Sequence, residues 1–180
     1  MSSTSPVRVA VIVASTREGR FAPVIQNWFT QQLDNRDDIE YDLVDLASQP
    51  DHATFSRTLA QADGFVVVTP EYNHGFPGPL KVALDSFGSE WHAKPVGFVS
   101  YGGHGGGLRA VEQLRQVFAE LHTVTVRDQV SFHMAWERFD GQGQPSDATV
   151  QEGAAKGLLD QLVWWGRALR TARTEHPYGS

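Results

Sequence analysis

Apolar positions recur in two rhythms that alternate along the chain. Residues 7–14 form a short β-branched run of the kind buried on both faces of a parallel sheet. Pro23 then stands where a first helical turn tolerates proline, and Val24, Ile25, Trp28, Phe29 and Leu33 return at helical spacing. Residues 39–46 alternate like a strand nearer an edge, 55–62 suit a short helix, and 64–69 are a third strand. A Pro-rich entry leads to a helix over 80–87 and a fourth strand over 95–101. Leu108, Val111, Leu114, Phe118 and Leu121 stripe one face of the next helix, and 124–130 is a fifth strand. A polar loop around 140–147 precedes a last helix with Leu158, Leu162, Trp165 and Leu169 on one face. Strands alternating with helices predict an α/β, doubly wound parallel sheet covered on both sides. Without internal repeats, 1–180 reads as one domain, with frayed tails at 1–5 and about 173–180.

Composition narrows the chemistry. A net charge of −6 with scattered basic residues lacks the cationic cluster that nucleic-acid binding requires. No apolar run approaches the roughly 18 residues of a membrane span, and MSSTSP has no basic flank and apolar core of a secretory leader. The absence of cysteine excludes disulfides, thiolate metal sites and a Cys nucleophile. The seven histidines form no ligand spacing, so no metal is expected, and no G-x-S-x-G elbow supports a hydrolase. The expectation is a cytoplasmic protein acting on small molecules.

Ligands of such sheets bind beyond the carboxyl ends of the strands, where strand order reverses. The loops after the first, third and fourth strands are the three oddest stretches of the chain. "ASTREGRFAP" (14–23) sets small hydroxyl residues and two arginines before a helix N-terminus, a place that favours an anion. Neither nucleotide-binding glycine signature follows the first strand, which points to a phosphate monoester rather than a pyrophosphate. "TPEYNHGFPGPLKVALD" (69–85) crowds proline and glycine into a loop whose shape is largely preset, able to offer peptide groups to the rim of a flat heterocycle. "SYGGHGGGLRAVEQLR" (100–115) carries five glycines among residues 102–107, which lets backbone approach a ligand closely.

Together these motifs resemble the NADPH-dependent FMN reductases, a group of the flavodoxin-like fold that includes NAD(P)H-quinone and azo-type reductases. The resemblance covers roughly residues 7 to 170, and P-E-Y-N followed by P-G-x-L-K is its most specific part. It implies a five-stranded sheet in the order 2-1-3-4-5 with helices on both faces. It also implies FMN as cofactor, NADPH as co-substrate, a small-molecule flavin or quinone acceptor, and a homodimer or homotetramer. Ser15, Thr16, Arg17 and Arg20 would form the phosphate site with Phe21 beside it. Pro70, Glu71, Tyr72 and Asn73 would meet one side of the isoalloxazine, and Ser100, Tyr101, Gly102 and Gly103 the other. His104, Gly107 and Arg109 would meet the nicotinamide nucleotide. The chain departs from the pattern at Ala14, where many relatives have Gly, at Arg20 and Ala22, where some have Ser and Asn, and at Gly75 and Val82.

The implied mechanism is hydride transfer from NADPH to bound FMN and on to the acceptor, with no side-chain acid or base at the reacting centre. Backbone N–H groups of Gly102 and Gly103 would stabilise negative charge on the ring edge. The competing expectations are a flavodoxin-type electron carrier without NADPH turnover and a flavin-free binding module. His133, Trp136 and Phe139 are candidates to reach the site from a subunit partner, and Trp164 and Trp165 to pack in the core or on that partner.

Overall fold

In a computed structural model, which describes residues 5–179, the first apolar run becomes β1 (Val7–Val13). The chain continues through α1 (Ala22–Asp34), β2 (Ile39–Asp45), α2 (His52–Gln61), β3 (Gly64–Pro70) and α3 (Gly78–Asp85). β4 (Pro95–Tyr101), α4 (Leu108–Glu120), β5 (Val124–Thr125), β6 (Val130–Phe132) and α5 (Thr149–Glu175) complete it. The strands pair in the order β2-β1-β3-β4-β5, all parallel, with β6 also on β4. This is the flavodoxin-like order.

Period-two geometry explains why β1 is apolar throughout 9–13, after Arg8, whose guanidinium pairs with Asp42 of β2. Val7, Val9, Val11 and Val13 pack with Ile25, Phe29, Leu158 and Leu162, beneath α1 and α5. Ala10 and Ile12 point the other way, into a second cluster with Leu59, Leu80, Leu84, Leu114 and Phe118 of α2, α3 and α4. Each fully buried Val, Leu or Phe contributes about 1.5–3 kcal/mol, so the two slabs together clamp the sheet.

The fifth strand differs from the unbroken 124–130 expected. Val126 N–H still donates to Val96 O (2.9 Å), but the carbonyls of Val126 and Arg127 turn to the Arg115 guanidinium (2.8 and 3.2 Å). Asp128 N–H donates to Gln161 Oε1 (3.1 Å). Side chains from α4 and α5 thus take over backbone hydrogen bonds of 126–128 and split the position between β5 and β6.

The tails also differ. Residues 1–4 of the expected N-terminal fray, and Ser180, lie outside the described residues. At the other end 173–175 complete α5, and the Tyr178 ring packs edge-on to His92 and His122 at 5.8 and 5.7 Å. The partners that hold Tyr178 are remote in sequence, so the polar composition of this segment did not reveal them.

β1 leads over one face to β2 on its outer side, whereas β3 leads to β4 on the opposite side. The two connections diverge at the carboxyl ends of β1 and β3 and leave a crevice there.

Candidate functional site

The first wall of the crevice is the loop from β1 to α1. Ala14 N–H makes the last ladder bond, to Val68 O at 2.9 Å. From Ser15 to Phe21 no backbone N–H has an acceptor among the described residues, and no side chain caps α1. Gly19 holds the turn in the left-handed region (φ 64°), a conformation glycine adopts without penalty. Unpaired N–H groups ahead of a helix attract anions.

The side chains of this loop divide into free and committed. Arg17 is exposed, with its guanidinium 3.5 Å above the centre of the Tyr72 ring. Thr16 is also exposed. Arg20, expected beside it on the phosphate, lines the crevice but is committed to partners within the protein. Its Nη1 and Nη2 grip both oxygens of Asp45 at the end of β2 (2.6 and 2.5 Å), and Nη1 also donates to Ser15 O (2.5 Å). That pairing raises the Arg20 pKa and, through the same hydrogen bonds, lowers that of Asp45. Ser15 is buried, with its hydroxyl 2.6 Å from the Tyr72 hydroxyl, so it positions Tyr72. Asp45 lies outside the signature motifs, which is why the sequence did not show this brace.

The second wall follows β3. Tyr72 and Gly75 exchange backbone hydrogen bonds (2.9 and 3.1 Å) around Asn73 and His74, both left-handed at φ 52° and 69°. Asn73 therefore serves the turn at an exposed position and does not line the crevice. His74, an unusual residue at positive φ, is pinned by Arg109 Nη1 (2.9 Å to Nε2) and by Gln113 Nε2, which donates to its carbonyl (3.0 Å). The nearly buried Glu71 carboxylate pairs with the Arg109 guanidinium and accepts the Arg109 backbone N–H at 3.3 Å. Pro77 and Pro79 lie at the entry of α3. Contacts to α4, more than proline stiffness, fix this rim.

The third wall follows β4, and only its beginning faces the crevice. Gly102 N–H donates to Phe132 O (3.1 Å), so it is not available to a ligand as expected, whereas Gly103 N–H has no acceptor among the described residues. Ser100 is buried and its hydroxyl donates to Gly106 O (2.8 Å), which removes it from the lining. The later glycines are demanded by packing within the protein. A Cβ at Gly107 (φ 85°) would lie 2.5 Å from Ser100 Cβ, and one at Gly105 would lie 2.9 Å from Glu71 Oε2. Gly107 and Arg109 are thus occupied in holding the loop. Of the three residues expected at the nicotinamide nucleotide, only His104 keeps an exposed side chain without a partner among the described residues.

The walls enclose about 350 Å³, lined by 17–21, 70–72, 101–103 and by Trp136, placed here by its own chain. Larger hollows of about 540 and 590 Å³ lie elsewhere, but the ionic side chains lining them include Arg36 with Asp160 and Arg115 with Glu112, already paired. At the switch-point crevice the unmatched groups belong to the backbone and to Tyr101. Its hydroxyl is buried and makes no hydrogen bond among the described residues, the nearby Ser15 hydroxyl being engaged by Tyr72, and burial followed by the Tyr72 phenol pushes its pKa up against the opposing pull of Ser15. A protonated phenol can donate to a carbonyl-rich ring edge. Unpaired amides with Arg17 suit a phosphate, and Phe21, Tyr72 and Tyr101 supply aromatic surface, so the residues fit an FMN.

Comparison with known proteins agrees with the geometry. Residues 7–137 match the family model described as NADPH-dependent FMN reductase. An NAD(P)H-dependent FMN reductase of Schizosaccharomyces pombe is 38% identical over 130 residues, 61% of this chain and 64% of that protein. The chain therefore spans just under two thirds of that relative's length. An NAD(P)H:quinone oxidoreductase of Solanum tuberosum is 30% identical over 182 aligned positions, covering 88% of this chain and 93% of that protein. The solved structure of FerB, a flavoenzyme NAD(P)H:(acceptor) oxidoreductase of Paracoccus denitrificans, superposes with a TM-score of 0.68 at 20% identity, over 90% of this chain and 98% of that one. By its sequence, this chain belongs to the NADPH-dependent FMN reductase family.

Proposed function

We propose that the protein is an FMN-dependent NAD(P)H oxidoreductase that passes a hydride from NADPH to a flavin or quinone acceptor. The observation that carries the reading is the crevice itself: unpaired amides and Arg17 at one end, the orphaned Tyr101 hydroxyl within, and aromatic surface between. The amides of 15–21 and Arg17 would hold the phosphate. Pro70 to Tyr72, Tyr101 and Gly103 would hold the ring, the Gly103 N–H and Tyr101 hydroxyl donating to its polar edge. Bound FMN supplies the redox chemistry, accepting and releasing two electrons. The protein orients it, and no residue is required to abstract a proton.

The names of the relatives support an enzyme over an electron carrier. We extend the proposal to cytoplasmic action as one domain in a homodimer or homotetramer on small molecules, without nucleic acid or membrane. Val82 on α3 and Leu108 at the start of α4 are exposed apolar side chains that a second copy would cover. No helix among the described residues is long and apolar enough to cross a membrane. Two measurements test the reading. FMN titrated into apoprotein should lose fluorescence in a saturable manner, and anaerobic NADPH should bleach the bound flavin within seconds. Bleaching by dithionite alone would identify a carrier, and no FMN binding at all would refute the assignment of the crevice.

A further inference from the structure

Four aromatic side chains line the crevice, and three are already engaged. Phe21 packs against Phe139 (ring centroids 5.7 Å apart) and Tyr101 (6.3 Å), and the face of Tyr72 is covered by Arg17 at 3.5 Å. Trp136 is the exception. It is 56% exposed and makes no ring or cation contact among the described residues, although it lines the crevice and approaches Gly103.

This exposure is not slack in the chain. Trp136 stands on a single helical turn, Ala135–Glu137, bolted to the third wall. Met134 N–H donates to Gly103 O (2.9 Å) and Ala135 N–H to Gly102 O (3.1 Å). Ala135 is fully buried in the core beneath α1 and α5. Met134 enters the turn at φ 48°, ψ 50°, a conformation that costs a β-carbon residue energy and persists only where surrounding contacts impose it. A strained, doubly anchored turn that holds a bare indole face at the mouth of an aromatic crevice is the geometry of a stacking platform.

We infer that Trp136 forms the outer surface on which the electron acceptor stacks, and that it selects planar polycyclic acceptors, bicyclic or tricyclic quinones and free flavins, over non-planar ones. The inference rests on the function proposed above. It assigns the inner surfaces, Pro70 to Tyr72 and Tyr101 to Gly103, to the cofactor and the indole to the second substrate. Trp136 acts by binding and orienting, with no bond made or broken on it.

The test uses FMN-loaded wild type, Trp136→Phe and Trp136→Ala, with anthraquinone-2-sulfonate as probe. Binding of the probe to the oxidised proteins, measured by equilibrium dialysis without hydride donor, should weaken about tenfold in Trp136→Ala and less than threefold in Trp136→Phe, which keeps an aromatic face. The KM ratio of a naphthoquinone to ferricyanide should rise in parallel. Titration of FMN into the apo variants should give dissociation constants within threefold of wild type. Equal probe binding in all three proteins would overturn the inference. So would an FMN affinity that falls as far as probe affinity, which would place the indole on the cofactor, or a change of oligomeric state in Trp136→Ala with probe binding intact, which would make it an interface residue. Failure of wild type to bind FMN would instead refute the underlying function.

Discussion

Replacing Arg20 by Ala separates two roles that the sequence alone cannot distinguish. If its guanidinium is a brace, the variant loses three short hydrogen bonds, two to Asp45 and one to Ser15 O. The side chains are 16% and 24% exposed, between the surface case, worth about 0–1 kcal/mol, and the buried case, where breaking a pair costs about 3–5 kcal/mol. We expect a loss of about 2–3 kcal/mol, which at a urea m-value of roughly 2 kcal/mol/M lowers the unfolding midpoint of the apoprotein by about 1 M. Asp45→Ala should cost a similar amount, and the double variant less than the sum, with a coupling of about 1–2 kcal/mol. The same pair fixes a pH dependence. The folded pKa of Asp45 is depressed, chiefly by the Arg20 hydrogen bond, so its stabilisation is complete above the unfolded carboxylate value and disappears as pH falls through the folded one. Arg20→Ala should flatten that acid limb. Arg17→Ala, by contrast, should cost the apoprotein no more than about 1 kcal/mol, the worth of its exposed contact with Tyr72, yet weaken FMN binding by about 0.5–2.5 kcal/mol, a charged hydrogen bond less that contact. An Arg20→Ala protein of unchanged stability and sharply lower FMN affinity would refute the brace and restore Arg20 to the phosphate.

Two further perturbations probe the walls and floor of the molecule. Gly107→Ala puts a methyl 2.5 Å from Ser100 Cβ at φ 85°, so overpacking and left-handed strain together should cost about 2–5 kcal/mol in a denaturant melt. Gly19→Ala, at φ 64° with nothing within 4 Å, should cost only about 1–2 kcal/mol, and equal losses at the two sites would contradict the packing explanation. At the base of the sheet, burial and then Arg173 push the pKa of Lys94 down to about 8 while its ammonium donates to Leu59 O (2.6 Å) and Ala60 O (3.1 Å). The unfolded chain therefore holds more protons between pH 8 and about 10.4, and stability rises with pH across that window. Wild type should gain on the order of 3 kcal/mol relative to Lys94→Met between pH 7.5 and 10, read as the difference of their urea midpoints, and a constant difference would show that Lys94 titrates normally.

The strands and helices were legible because burial on two faces leaves a pattern no other arrangement produces. Residues 9–13 are uniformly apolar because α1 and α5 lie on one side and α2 to α4 on the other. The fifth strand was misread where Arg115 and Gln161 take its hydrogen bonds, since a side chain reaching from a distant helix has no local signature. The same holds at the site. The three loops were identified correctly as neighbours, but Arg20, Ser100 and Arg109 have partners 25, 6 and 38 residues away, and motif position says nothing of which way such side chains turn. Trp136 entered only as a residue of another subunit, because the anchoring of its turn to Gly102 and Gly103 is a tertiary fact.

A consistent division of labour emerges from these corrections. Two charges in the walls are matched within the protein, Arg20 by Asp45 and Glu71 by Arg109, while Arg17 and Glu18 line the crevice without an ion pair among the described residues. What remains for a ligand is mostly backbone, whose N–H groups are fixed before binding and lose no rotamer freedom when they meet it. Arg17 is the exposed cation of the first loop. Its contact with Tyr72 is worth about 0.5–1 kcal/mol at an exposed site, less than the roughly 1.5–3 kcal/mol of a charged hydrogen bond to phosphate. The balance therefore favours its release from Tyr72 when phosphate enters, which at the same moment uncovers the tyrosine face for a planar ring.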